Sequence, residues 1–314
     1  MTTAAVGVAL ALDAAAGEPP TRLHPVAWFG RLVAPLDRHW SRPRIVGALA
    51  TGTLPIGAAL AVGGLVGVAA LQRPLAGAVA GGLALFVTTS LRRLLGVARA
   101  VTAASETDLD AARDQLRALA GRDASALSAG EVRSAAVESV AENLADGLVA
   151  PLGAFAALAA VGTRIAPAVA PGADPAAVGL ALAAAGAAWV KAVNTMDSML
   201  GYRSKPVGWA PARLDDAVMW VPARASAVLL AAAFLAPGSL ASARRWNEGV
   251  PSPNSGWPMG TIAAALDVRL EKPGVYELPG GPSLPTVADA QRAVRRAGVA
   301  GGLAYLAAGV VTWV

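Results

Sequence analysis

The sequence predicts an all-α, polytopic integral membrane protein with about five to seven membrane-embedded helices, and two observations carry that prediction. Of 314 residues, 55% are hydrophobic and only 15% charged, with a mean hydropathy of +0.52. Ordinary soluble domains do not reach such a balance. The second observation is a pair of apolar stretches, 45–71 and 74–95, each longer than the ~20 residues a helix needs to cross the hydrocarbon core. Backbone groups in lipid must be satisfied within the segment, so such stretches form helices. Aromatic residues make up only 5% of the chain while Ala and Gly abound, a composition suited to helices packed through small side chains.

In chain order, residues 1–16 lack a basic leader region, and Gly17-Glu18-Pro19-Pro20 does not resemble a cleavage site, so the segment reads as a retained first span or embedded helix. Gln72-Arg73-Pro74 separates the two long stretches as the turn of a helical hairpin. Further apolar segments lie near 147–162, 177–199, 225–236 and 297–314, several of them short for a crossing. Water-exposed segments are expected near 99–135, an amphipathic helix stopped by Gly121, and near 238–296, which is rich in Pro, Gly, Asn and Ser. The organisation expected is one membrane-embedded catalytic domain over 1–314, with no evident inverted repeat.

Arginines set the orientation. Arg22, Arg31, Arg38, Arg42 and Arg44 precede the hairpin and Arg92, Arg93 and Arg99 follow it, whereas its turn holds Arg73 alone, so both flanks should be cytoplasmic. Simple alternation then puts Lys191, Arg203, Lys205 and Arg213 inside but Arg244, Arg245, Arg292, Arg295 and Arg296 outside, against the rule. The conflict disappears if 225–236 is re-entrant or buried in protein rather than spanning. The net charge of +5 is spread over these loops, which suits positive-inside topology rather than a nucleic-acid surface. No cysteine is present, so disulfides, thiolate metal sites and thiol nucleophiles are excluded, and a metal would be held by oxygen or by His24 and His39.

Four polar constellations stand out. Ser128 and Glu131 have capping-box spacing and should start a helix that Pro151 ends or kinks. Along it Val140, Leu144 and Leu148 form an apolar stripe, while Glu138, Glu142 and Asp146 recur every four residues on the other side with Asn143 nearby. Like charges at that spacing repel unless a cation sits among them. A magnesium–phosphate site and a solvated helix face both explain the stripe. Second, Lys191, Asn194, Thr195 and Ser198 share one helical face near Asp197, with Tyr202 just beyond; phosphate binding competes with a snorkelling lysine. Third, Arg213, Asp215, Asp216 and Arg224 place an acidic pair between two arginines, either magnesium and phosphate ligands or local ion pairs. Fourth, Ser252-Pro253-Asn254-Ser255-Gly256-Trp257-Pro258 suits a shaped binding loop or an ordinary turn. His24-Pro25, near Trp28 and Arg31, is either a ligand contact or a turn cap.

Taken together and in this order, these segments resemble the adenosylcobinamide-phosphate synthase family of cobalamin biosynthesis, the CobD/CbiB proteins. The resemblance rests on 138–147 with Ala150-Pro151, on 191–202, on 212–216 with Pro222 to Arg224, and on 252–258, and Asp13, Gly17-Glu18-Pro19 and His24-Pro25-Val26 also fit. It departs from the usual pattern at Glu18, Leu144, Val250 and Met259. The resemblance implies ATP- and magnesium-dependent amide formation between adenosylcobyric acid and an aminopropanol phosphate or related amino-alcohol phosphate. On that basis Glu138, Glu142, Lys191, Asn194 and Asp197 are expected to be catalytic. Glu142, Asp146, Asp215 and Asp216 are expected to hold the metal. His24, Arg31, Asn143, Thr195, Ser198, Tyr202, Arg213, Arg224, Ser252, Asn254 and Trp257 are expected to bind substrate or phosphate. The acidic stripe, the Lys191 face and the aspartate pair are expected to share one pocket on the cytoplasmic side of the cell membrane. The bilayer and other membrane-associated cobalamin enzymes are the expected partners, and nucleic acid is not. No P-loop pattern locates ATP. The competing class is a membrane transporter of a polar or phosphorylated solute, which would place ionisable groups deep within spans.

Overall fold

A computed structural model describes residues 1–121, 123–202 and 204–313; Arg203, used above for orientation, and Val314 lie outside them. The helices are α1 (Thr2–Ala16), α2 (Pro25–Val33), α3 (Pro43–Gln72), α4 (Pro74–Thr88), α5 (Leu91–Thr107), α6 (Leu109–Leu116), α7 (Ala129–Leu144), α8 (Ala150–Val169), α9 (Pro175–Leu200), α10 (Trp209–Val218), α11 (Trp220–Phe234), α12 (Ser239–Trp246), α13 (Gly256–Leu266) and α14 (Val287–Trp313). Among the described residues the only sheet is an antiparallel hairpin of β1 (Arg269–Lys272) and β2 (Tyr276–Pro279). The protein is therefore all-α and polytopic. Four helical stretches, Pro43–Gln72, Pro74–Thr107, Ala129–Val169 and Pro175–Leu200, are long and apolar enough to cross a membrane. Pro206–Val218 and Trp220–Phe234, bent at the break between them, make a broken fifth span or a re-entrant loop, and α1 is apolar but short.

Local chemistry explains most boundaries. Pro43, Pro74 and Pro175 stand at helix starts, where a missing N–H costs nothing, and the Asp174 carboxylate caps α9 by accepting from Ala176 N at 3.0 Å. Ser128 and Glu131 form the complete capping box at the start of α7. The path does not end at Pro151. A π turn, Ala145–Val149, leads into α8, and Pro151 sits in the first turn of that helix.

The chain forms two compact units, each assembled from separate stretches: 1–90, 150–218 and 305–314 in the first, 91–149 and 219–304 in the second. In the first unit α3, α4, α8 and α9 pack through small residues. A methyl group on Gly63 would press on Ala181 O and on the Ala185 side chain, both 2.9 Å away, so glycine is what lets α3 and α9 approach. The hydroxyls of Thr51, Thr88 and Thr163 donate to carbonyls three or four residues earlier in their own helices.

In the second unit α5, α6 and α7 enclose Val101, Leu116, Val132 and Ala135, all essentially inaccessible to solvent. Polar side chains there tie distant segments together. Arg113 donates to Leu127 O at 2.9 and 2.7 Å, and Arg133 donates to Pro285 O at 2.7 Å. Arg296 reaches Ala233 O at 2.9 Å. The expected water-exposed segments thus contain short helices and a hairpin built around a structured core.

Candidate functional site

The acidic stripe does not form a solvated helix face. Every residue from Ser134 to Ala150 is buried except Glu142, Asn143 and Asp146, which are half-buried. Glu138 is fully buried and fixed at both oxygens: Ser134 Oγ donates to Oε1 at 3.2 Å and Tyr276 OH to Oε2 at 2.9 Å. Ser134 Oγ also accepts from Glu271 N at 2.8 Å, so this end of α7 docks the hairpin. Asn143 is oriented through its amide, which donates to Ser139 O at 2.9 Å and Leu119 O at 3.4 Å. Glu142, Asn143 and Asp146 form a narrow polar strip on an otherwise apolar helix, and the π turn carries Asp146 and Gly147 against α11.

Helix α11 brings Arg224 to the loop that precedes α13. The guanidinium lies 4.2 Å from the Trp220 ring centroid and 4.9 Å from that of Trp257, and donates to Asn254 Oδ1 at 3.2 Å and to Trp220 O at 2.7 Å. Two indole faces and two acceptors leave the planar fork little freedom. The loop itself is rigid: Ser252 Oγ accepts from Asn254 N at 3.2 Å and Ser255 N at 3.4 Å, and Asn254 is buried. The Trp257 indole N–H is buried with no acceptor among the described residues. Arg224, Ser252, Asn254 and Trp257, distant in sequence, thus belong to one cluster.

In the first unit the α9 face divides. Thr195 and Ser198 turn their hydroxyls back to Lys191 O at 2.7 Å and Asn194 O at 2.9 Å, as a chain in lipid would. Asn194 is buried. Lys191 stands on the wall of an apolar cavity. Asp197, at the end of α9, lies close enough to Asp216 of α10 for mutual repulsion, and Arg213 reaches Asp216 at 3.5 Å. Gly201 makes room for the Asp197 carboxylate, since any β-carbon there would collide with its Oδ1. Asp215 sits beside this pair on α10. Among the described residues no three His, Asp or Glu side chains form a metal cage. Magnesium does not require one, because it keeps most of its waters and takes one or two carboxylates with substrate phosphates. Two neighbouring carboxylates that repel each other fit that role.

His24 caps α2, its Nδ1 accepting from Val26 N at 3.3 Å, and its Nε2 is 3.9 Å from Glu18. Arg31 and Tyr202 are exposed, and Lys205 lies 4.9 Å from the Tyr202 ring and 2.7 Å from Asp37. The acidic strip and the Arg224 cluster belong to the second unit, the Lys191 face and the aspartates to the first. Sequence reasoning missed three members of these clusters. Trp220 had a signal, standing four residues before Arg224 on one helical face. Ser134 also had one, since it stands four residues before Glu138 on the same helix; Tyr276 had none, because its contact with Glu138 spans 138 residues.

A family model described as CobD/Cbib protein matches residues 6–304. The chain is 36% identical over 285 residues to the probable cobalamin biosynthesis protein CobD of Methanothrix thermoacetophila, covering 86% of this chain and 84% of that one. It is 39% identical over 317 residues to the cobalamin biosynthesis protein CobD of Mycobacterium tuberculosis, with 93% and 90% covered. For the Rhodobacter capsulatus cobalamin biosynthesis protein CobD the identity is 35% over 293 residues, with 86% and 82% covered. No solved structure matches. With the polar clusters in place and the match running over nearly its whole length, the chain belongs to the CobD/CbiB family.

Proposed function

We propose that this family member acts in cobalamin biosynthesis by joining the carboxylate of adenosylcobyric acid to the amine of an aminopropanol phosphate, or a related amino-alcohol phosphate, in an ATP- and magnesium-dependent reaction. The observation that supports this most is the Arg224 cluster. An aromatic-clamped, half-buried guanidinium suits a carboxylate or phosphate oxygen, and both substrates carry one.

A carboxylate is a poor electrophile, so its oxygen first attacks the terminal phosphorus of ATP and ADP leaves. The amine nitrogen then attacks the acyl carbon, releasing inorganic phosphate and a proton. Arg224 holds an anionic oxygen in a fixed direction and stabilises the charge that grows on it, with Asn254 keeping the guanidinium aligned. Ser252 shapes the loop on which Asn254 and Trp257 sit. Glu142 and Asp146 offer oxygens to a metal or accept the proton lost by the amine, with Asn143 alongside, while Glu138 holds the strip in place. In the first unit Asp216, with Asp197 and Asp215, would hold magnesium, and Arg213 would neutralise phosphate. Magnesium, when bound, neutralises phosphate charge so that nucleophilic attack is not repelled. The arginine bias supports an active site on the cytoplasmic side, and the membrane setting would allow transfer to other membrane-associated enzymes of the pathway.

The test is direct. Purified protein is incubated with adenosylcobyric acid, aminopropanol phosphate, magnesium and ATP, and the products are followed by mass. The amide should form only when all four are present. ATP hydrolysis with no amide, or amide formation without ATP, would refute the proposal.

A further inference from the structure

At one end of the first unit a short helix is fastened to the start of a span. Helix α3 has 30 residues. That is ~45 Å at 1.5 Å per residue, against a hydrocarbon core of ~30 Å, so its ends stand among lipid headgroups. Ile45 and Leu49 are already exposed, so the lipid-facing side of α3 begins beside Arg42 and Arg44. Helix α2 sits at this level. Its Phe29 and Val33 pack against Ala50 of α3 and against Met196 and Leu200 at the end of α9, and Gly30 faces Met199.

The outer side of α2 is apolar too. Trp28 and Leu32, one turn apart, are 50% and 59% exposed, and Leu23 before the helix is exposed as well. The Trp28 indole donates to Arg22 O at 2.8 Å, which fixes the ring on this side. The same stretch carries five exposed arginines, Arg22, Arg31, Arg38, Arg42 and Arg44. The one acid between positions 19 and 44, Asp37, is held by Lys205 at 2.7 Å. Arg38 lies over the Trp40 ring, and among the described residues the other four arginines pair with no carboxylate. We infer that α2 lies in the plane of the membrane interface and gathers anionic phospholipid, with Trp28 and Leu32 in the acyl boundary and the arginines on headgroup phosphates. Exposed Trp and Leu beside uncompensated arginines are the chemistry of an interfacial helix, and the adjoining start of a span supplies the surface it meets. A neutral bilayer would accept the apolar residues but leave the arginines without a counter-charge. The inference is independent of the amide-forming reaction.

The experiment uses the full-length protein in phosphocholine nanodiscs that contain a trace of lipid carrying a photoactivatable diazirine on one acyl chain, with either a phosphoglycerol or a phosphocholine headgroup. Labelled peptides are mapped by mass. Residues 23–32 should take label from both lipids, with the phosphoglycerol form favoured about fivefold, the equivalent of ~1 kcal/mol for one arginine engaged at a time. Residues 56–65 of α3, where Ile56, Leu60 and Leu65 are exposed in a stretch without charged residues, are the control and should show a ratio near one. The combined change Arg22→Gln, Arg42→Gln and Arg44→Gln should bring the ratio on 23–32 close to that of the control while the label itself persists. Trp28→Ser with Leu32→Ser should strip label from 23–32 and leave 56–65 unchanged, which also reports that the variant has folded. If the arginine variant fails that control, raising the salt in the unaltered protein should lower the ratio by screening. No label on 23–32 in the unaltered protein, as a covering protein or a second copy would produce, would overturn the inference, and so would a headgroup preference that survives both the arginine changes and salt.

Discussion

The two units differ in how far their polar side chains reach. In the first, Thr51, Thr88, Thr163, Thr195 and Ser198 bond to carbonyls one turn back in their own helix, Thr2 and Thr3 reach Thr312 O, and helices meet through glycine and alanine. In the second, Thr102, Ser226 and Thr261 also bond one turn back, but charged and aromatic side chains reach across the sequence as well: Tyr276 to Glu138, Glu271 N to Ser134, Arg133 to Pro285, Arg224 to Asn254. A helix in lipid has no water to complete a displaced bond, so its polar groups close on themselves. The second unit instead orients charged groups through partners far away in the chain. Long-range polar networks are what fix a reacting geometry, so the second unit is expected to do most of the positioning.

The strongest way to break that assignment is at Arg224. Arg224→Lys keeps the charge but loses the planar fork and the stacking on two indoles, so amide formation should fall by ~100-fold or more, in the range seen when an oriented transition-state donor is removed. Asp146→Asn should cost a similar factor, while both variants remain extractable in detergent with unchanged melting curves. Near-normal turnover in Arg224→Lys would reduce the cluster to a structural ion–aromatic contact.

Glu138 and Tyr276 sharpen the comparison from the side of stability. Tyr276→Phe removes a donor from a fully buried carboxylate and should destabilise the protein by ~1–3 kcal/mol, read as a lower melting temperature and faster proteolysis near the hairpin. Glu138→Gln retains size and one acceptor and should cost less. If neither shifts the melting curve, the α7–hairpin contact is not what holds the acidic strip. A comparable loss, ~1–3 kcal/mol from overpacking, is expected for Gly63→Val in the first unit, where the new methyls would meet Ala181 O and Ala185.

How much was legible in the sequence follows the same division. Local signals were read correctly: Ser128 and Glu131 as a capping box, and Gln72-Arg73-Pro74 as the turn of a hairpin of helices. The apolar run 225–236 falls in the second half of a bent helix pair, where the arginine count had already made a simple span awkward. What was not legible depended on distance. Nothing near Glu138 announces Tyr276, and the four-residue spacing of the acids could not show that the helix carrying them is buried nearly all round. The π turn at Ala145–Val149 was likewise hidden, because apolar and small residues there suit an ordinary helix equally well. Arg224 and Asn254 were each named from local composition, but their pairing came only with the fold.

The smallest effect is the one that tests the first unit's self-contained bonding. Thr51 is buried on α3, and its hydroxyl donates to Gly47 O at 2.7 Å, within its own helix. That carbonyl is an acceptor with lone pairs to share, and no other element depends on the threonine proton. Thr51→Val keeps the β-branch and the volume and removes only the local bond. Side-chain hydrogen bonds between membrane helices average ~0.6 kcal/mol, and one that links no second helix should fall at or below that value. The melting temperature in detergent should therefore shift by no more than a degree or so, against the larger losses at Tyr276 and Gly63. A drop matching that of Tyr276→Phe would mean that Thr51 joins elements after all, and the contrast between a self-bonded unit and a cross-linked one would fail at its simplest point.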